Sequence, residues 1–333
     1  MSNITRLPFD WTKKTVMVTG GTGSFGRVFV RSMLDKQKAA KVIVFSRDEL
    51  KQHEMRVSGF DDPRLRYFIG DIRDRERLTR AMKGVDVVVH AAALKQVVAC
   101  EYNPIEAVMT NVNGSRNVVD AALDAGVSRV LALSTDKAVN PANLYGATKL
   151  VAEKLFVQGN AYRGDGPTRM ACVRYGNVVG SRGSVVPLFS QQRPRGELTI
   201  TDPNMTRFWL TLDQGVAFVT SCIERMHGGE VFVPKLKTMN IVDLAHAMAP
   251  ECRIKTVGIR PGEKLHEALL SEEENSRTLD VGDMYVVRPS HPWWPEAAWE
   301  GAPVVPQDFS YVSNTAPDRL SVDELMKMIA NAA

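Results

Sequence analysis

Tyr145 and Lys149 stand four residues apart, and Thr135, Asp136 and Lys137 precede them in Ser134-Thr135-Asp136-Lys137-Ala138. On a helix, positions i and i+4 share one face, so the tyrosine and lysine can act as a pair. A free tyrosine has a pKa of about 10, too high for a base at neutral pH. A fixed ammonium nearby favours the phenolate. Such a pair can take the proton of a hydroxyl while a hydride leaves the same carbon. Asp136 and Lys137 add a second acid and base. Alone, Tyr-x-x-x-Lys is common by chance, and Ser-Thr-Asp at a strand end is often just a helix cap. The chemistry therefore requires a dinucleotide site upstream.

The elements that would build one are present. Thr15-Val16-Met17-Val18 reads as a buried strand, a glycine turn follows, and Val28, Phe29, Met33 and Leu34 recur at helical spacing. The glycines fall as G-x-x-G-x-x-G. Gly20 permits the tight turn, Gly23 lets backbone N–H groups approach a pyrophosphate, and Gly26 allows close helix–strand packing. Thr22, Ser24 and Phe25 complete the candidate cofactor loop.

The second strand, Lys41-Val42-Ile43-Val44-Phe45, ends in Ser46-Arg47-Asp48-Glu49-Leu50-Lys51. An acid at this point suits the ribose 2′-OH of NAD. Arg47 and Lys51 suit a 2′-phosphate, which favours NADP, while Asp48 leaves NAD open. Asp71, after the strand Arg66-Tyr67-Phe68-Ile69, can accept from the adenine amino group, with Ile72 packed on the ring. The strand Val85–His90 delivers the small residues Ala91 and Ala92, which leave room for the ribose, and then Lys95, placed for cofactor or substrate. Asn111 inside a helix is unfavourable by propensity and implies a polar network. With a fifth strand at Val130, the pattern is α/β: a Rossmann-like, doubly wound parallel sheet with a smaller α/β substrate-binding lobe. Ligands belong at the carboxyl ends of its strands, where each of these motifs falls.

Composition narrows the class. The chain has 333 residues, 44% hydrophobic and 24% charged, an ordinary globular balance. A net charge of +4, with basic residues dispersed, leaves no nucleic-acid footprint. No apolar run approaches the roughly 20 residues that span a bilayer, and Met1 to Asp10 lacks a signal-peptide core. Four scattered cysteines suit a reduced, cytoplasmic protein. The six histidines show no metal-ligand spacing.

These motifs together resemble the extended short-chain dehydrogenase/reductase superfamily. Ser46–Gln52, Ala92-Ala93-Leu94-Lys95-Gln96-Val97, Ser134–Ala138 and Arg174-Tyr175-Gly176-Asn177-Val178 resemble, more narrowly, the inverting UDP-N-acetylglucosamine 4,6-dehydratases of pseudaminic acid synthesis. The short interval between Ser134 and Tyr145 also matches that branch. Val98 departs from it, standing where relatives often carry proline. Larger relatives carry N-terminal membrane spans, so this chain resembles the short soluble type.

The resemblance implies an NADP-dependent lyase. Tyr145, activated by Lys149, would deprotonate the C4 hydroxyl, and Thr135 would hydrogen-bond its oxygen. Lys137 would take the C5 proton if burial near other cations kept its amine neutral. Asp136 would protonate the leaving C6 hydroxyl. Non-inverting relatives carry Asp-Glu where this chain has Asp136-Lys137. By resemblance Asn177 touches the diphosphate-sugar, Val185 and Thr199 the uridine, and Met205 and Arg207 the nucleotide and its phosphates. Arg260 suits a phosphate and Glu263 the ribose hydroxyls in Arg-Pro-Gly-Glu-Lys.

The expected division is residues 1–175 as the cofactor domain, with 206–233 returning to it, and 176–205 and 234–333 as the sugar-nucleotide lobe. The aromatic tail with Trp293, Trp294, Trp299 and Phe309-Ser310-Tyr311 would cover that lobe or a subunit contact. Relatives imply a homo-oligomer, with a hexamer as one form. Two other readings stay open: a UDP-sugar 4-epimerase or non-inverting dehydratase, and a catalytically silent NADP-binding sensor.

Overall fold

The structure, a computed structural model, describes residues 9–180, 184–291, 294 and 298–331. The N-terminal residues read for a signal peptide, the loop at 181–183 and Trp293 lie outside the described residues. Runs of β-branched and apolar residues form the central strands. These are β1 (Thr15–Thr19), β2 (Lys41–Ser46), β3 (Leu65–Ile69), β4 (Val87–His90), β5 (Arg129–Leu133) and β6 (Arg169–Val173). They lie parallel in the order β3-β2-β1-β4-β5-β6. Val87, Val88 and Val89 are fully buried, as expected of a strand covered on both faces. The order reverses between β1 and β4, which opens a crevice at their carboxyl ends.

Val231–Pro234 adds a seventh parallel strand beside β6, and Met284–Val287 and Thr278–Asp280 extend the sheet antiparallel to nine strands. This differs from the expected division, which placed residues 278–287 in the smaller lobe. The aromatic tail also differs. Trp294 and Trp299 are buried in the core that holds β1 and the helices Ser24–Asp35 and Leu212–Arg225. Their indole N–H groups donate to the Gly228 carbonyl at 2.7 Å and to Glu230 Oε1 at 3.2 Å. Phe309 and Tyr311 pack in the core on the other face of the sheet. These described residues of the tail therefore pack on the large sheet of the cofactor domain, on both of its faces.

The smaller lobe has its own core around Phe189, Leu198, Trp209 and Leu244. Thr206–Leu210 pairs there with Lys237–Asn240 and Asn177–Val178, and Glu197–Ile200 pairs with Arg253–Thr256. Asn143 ties the two lobes together. Its Oδ1 caps the helix Leu144–Gly159 by accepting from the Gly146 amide at 2.8 Å, and its Nδ2 donates to the Gly262 carbonyl at 2.7 Å.

Candidate active site

The strand ends open into a cleft of about 590 Å³ between the lobes. Gly20, Thr22, Gly23, Ser24, Phe25 and Gly26 form one wall, and Arg47, Lys51, Asp71 and Ile72 line its far end. Ala91, Ala92 and Lys95 lie beside β4, and Thr135, Asp136, Lys137, Tyr145, Lys149 and Asn177 close the other side.

The glycine loop fits a dinucleotide. Gly20 has φ +68°, and a Cβ there would meet the Ala92 backbone at 3.0 Å. At Gly26 a Cβ would lie 2.5 Å from Gly21 Cα. Gly23 caps the helix Ser24–Asp35 without a side chain, so no side chain occupies the first-turn amides that would meet a pyrophosphate. At the far end Asp71 is held by Arg73 at 2.9 Å and faces Arg47 at 3.5 Å. Asp48 caps the helix Glu49–Val57 and pairs with Lys51 at 2.7 Å. Arg47 and Lys51 are half exposed at the cleft, each beside a carboxylate.

Asn111 has the network role its position implied. It lies in a π-helical turn, Val108–Asn113, a distortion frequent at functional sites. Its Oδ1 accepts from the Leu94 amide at 2.8 Å, and its Nδ2 donates to the Leu94 carbonyl at 2.9 Å and Thr148 Oγ1 at 3.0 Å. That fixes the Ala93–Lys95 loop against the helix of Tyr145. Burial holds Lys95 below the ordinary lysine range.

Asp136 is 1% exposed, so Asp136 and Lys137 are no surface pair. Lys137 Nζ lies 3.0 Å from Asp136 Oδ1 and 3.4 Å from Glu267 Oε1. Thr135 Oγ1 donates to the same Asp136 oxygen at 2.9 Å. Burial works against the Lys137 ammonium, but Asp136 and Glu267 outweigh it and hold the amine well above the ordinary range. A neutral amine created by neighbouring cations is therefore corrected: the facing carboxylates keep Lys137 charged at rest. Tyr145 differs too. Burial pushes its phenol up to about 12, against the lowering effects of Lys137 and Thr135. Lys149 is itself lowered by burial. In the protein alone, the Lys137 charge eases ionisation of Tyr145.

The remaining sequence candidates stand outside the cleft wall. Val185 opens the helix Val185–Gln192, and Thr199 exchanges hydrogen bonds with Gln192 at 2.7 and 2.9 Å. Met205 is buried in the small lobe's core. Arg207 donates to the carbonyls of Thr206, Lys264 and Leu265. Arg260 is exposed and faces Glu263 at 3.8 Å.

Sequence reading missed three groups. Glu267 follows the Arg-Pro-Gly-Glu-Lys turn, its one signal. Thr110 and Tyr175 line the cleft, and Glu267 stands outside its wall. Behind the catalytic helix, Arg174 is bidentate to both Glu153 and Glu274, at 2.7–2.9 Å, and Ser134 Oγ donates to Glu153. Among the described residues, Thr110 Oγ1, Asp136 Oδ2 and Asn177 Oδ1 are buried at the cleft without a hydrogen-bond partner. Buried polar atoms are rarely left so unless a ligand completes them.

The chain matches the family described as polysaccharide biosynthesis protein over residues 16–289. It is 50% identical over 328 residues to a UDP-N-acetylglucosamine 4,6-dehydratase (inverting) of Campylobacter jejuni, covering 96% of this chain and 98% of the relative. The chain belongs to the polysaccharide biosynthesis protein family. Another relative of the family's chain, 45% identical over 82% of each protein, is a UDP-glucose 4-epimerase of Rickettsia massiliae. Among solved structures, Pen from Bacillus thuringiensis superposes with a TM-score of 0.88 at 36% identity, covering 97% of this chain and 99% of that one. DesIV, a dTDP-glucose 4,6-dehydratase from Streptomyces venezuelae solved with NAD and TYD, gives 0.69 at 25% identity, covering 84% and 93%. The family chain described here thus has the Rossmann-type short-chain dehydrogenase/reductase fold.

Proposed function

We propose that this chain is a UDP-N-acetylglucosamine 4,6-dehydratase that inverts C5, making a UDP-2-acetamido-2,6-dideoxy-β-L-arabino-hex-4-ulose for surface or flagellin glycans, pseudaminic acid among them. The pair of buried Asp136 and half-buried Lys137, in the same cleft as Tyr145, carries this reading. A 4-epimerase has no use for an acid and base serving C6 and C5. The 50% identity to the Campylobacter jejuni dehydratase supports the same substrate and stereochemistry.

A nicotinamide dinucleotide held along the glycine loop supplies the hydride acceptor at C4 and the hydride donor at C6. Arg47 and Lys51 favour NADP. Tyr145 takes the C4 hydroxyl proton, with Thr135 hydrogen-bonding the oxygen. Lys137 Nζ then passes a proton to Asp136 Oδ1 across their 3.0 Å contact. That one transfer makes a neutral amine and a neutral acid together. The amine takes the C5 proton, and the C5–H electron pair passes toward the C4 ketone. That pair then expels the C6 oxygen as the C6–O bond breaks. Asp136 gives its proton to that oxygen, which departs as water. Reprotonation of C5 from the opposite face inverts it.

Asn177 would receive the diphosphate-sugar, with Val185, Thr199, Met205, Arg207, Arg260 and Glu263 around the nucleotide. A homo-oligomer is supported by the exposed apolar row of Val98, Tyr102 and Ile105, each at least 70% exposed. Four cysteines free of disulfides suit the cytoplasm. Purified enzyme given UDP-N-acetylglucosamine is expected to release a UDP-sugar lighter by one water. An equal-mass galacto sugar would overturn the proposal.

A further inference from the structure

Glu267 reaches the acid–base pair from the smaller lobe, just before the strand Ala268–Leu270. It is 2% exposed and outside the cleft wall, so it stands behind Lys137. Its amide is fixed by Ser313 Oγ at 3.0 Å. Its Oε1 faces Lys137 Nζ at 3.4 Å, and its Oε2 has no hydrogen-bond partner among the described residues. The nearby cations are engaged elsewhere. Lys264 Nζ donates to the Val139 carbonyl at 2.6 Å, and Arg207 donates to three backbone carbonyls. Two buried carboxylates therefore share one ammonium.

We propose that Glu267 is the standing counter-ion of Lys137, a positioning residue that frees Asp136 to hold the proton needed by the leaving oxygen. The inference rests on the dehydratase reading. Once Lys137 has taken the C5 proton, it is an ammonium while Asp136 is still a neutral acid. In that state Glu267 alone of the two carboxylates facing Lys137 balances the charge, which a cation drawn out of water requires. Without Glu267 the ammonium would be balanced by ionised Asp136, and the acid would be lost. Elimination would then fail while C4 oxidation, which uses Tyr145, continued.

The test is single-turnover kinetics of the holoenzyme with UDP-N-acetylglucosamine, following both reduced-nicotinamide absorbance and the 6-deoxy product. Glu267→Gln is expected to oxidise C4 at close to the wild-type rate and to accumulate reduced cofactor. Its product formation should slow by about 10²-fold, the scale of one acid–base contribution. The alkaline limb of its product-forming pH profile should move to lower pH. Glu267→Asp should recover much of the loss, and it serves as the test should Glu267→Gln fail to fold, with a smaller accumulation of reduced cofactor. Equal slowing of both steps, or no change in either, overturns the proposal. A wild-type enzyme that forms no 6-deoxy product sinks the dehydratase reading itself, and this proposal with it.

Discussion

Gly146, the residue after Tyr145, packs its Cα against the carbonyl of Lys137 so closely that a Cβ would overlap that oxygen. The contact sets the distance between the helix carrying Tyr145 and the turn carrying Asp136 and Lys137. Backbone cannot yield as a flexible side chain can, so Gly146→Ala must push the helix away. A displacement near 1 Å can cost about 10² in rate. Gly146→Ala should lower kcat by that order while substrate binding changes far less, as steady-state kinetics would show.

Tyr145→Phe removes the group proposed to take the C4 proton. The loss should be about 10²- to 10⁴-fold in kcat, with no reduced cofactor formed. Asp136→Asn should instead stop the reaction after C4 oxidation, so reduced cofactor accumulates. Rapid-scan absorbance separates the two outcomes.

His90 is buried beneath the cofactor loop, with Nδ1 2.8 Å from Thr19 Oγ1 and Nε2 3.3 Å from Ser115 Oγ. Burial first, then the Lys149 charge, lower it to about 3. The unfolded chain binds this proton near pH 6.5 and the folded chain does not. Stability from His90 is therefore complete above about pH 6.5, and it is lost as pH falls toward 3. The slope for one proton is about 1.4 kcal/mol per pH unit. Urea unfolding of wild type and His90→Asn between pH 7 and 4 should show a shallower slope in the variant.

Arg174 neutralises Glu153 and Glu274 where all three are buried. Arg174→Met leaves two carboxylates facing each other and should cost about 3–5 kcal/mol in denaturant unfolding. Glu153→Gln keeps the Arg174–Glu274 pair and should cost less. The reverse ranking would show that the triad is not a charge-balanced unit.

Arg47→Ala should weaken NADP binding by roughly tenfold or more, with little effect on NAD, as isothermal titration would measure. A loss of about 1.4 kcal/mol is tenfold, within reach of one charge-assisted phosphate contact.

Much of this was legible in local patterns. The strand Thr15–Thr19, its glycine turn and the helix after it follow from adjacent residues, and so do Tyr145 and Lys149 on one helix. The charge on Lys137 was not legible, because Glu267 arrives from a distant segment through the packing of the smaller lobe. The Glu153–Arg174–Glu274 triad was hidden for the same reason. Trp294 and Trp299 read as a cover for the smaller lobe or a subunit contact, because nothing local says that they pack in the core beside β1. Asn111 was visible as a misfit in its helix, and the fold supplied its partners.

The most direct test of the proposed chemistry is NMR of the enzyme turning over UDP-N-acetylglucosamine in deuterated water. Early time points are expected to show a 6-methyl, 4-keto (or hydrated) sugar with deuterium at C5 and L-arabino coupling constants. A D-xylo product at those times would contradict C5 inversion, and a galacto sugar without a 6-methyl group would contradict dehydration.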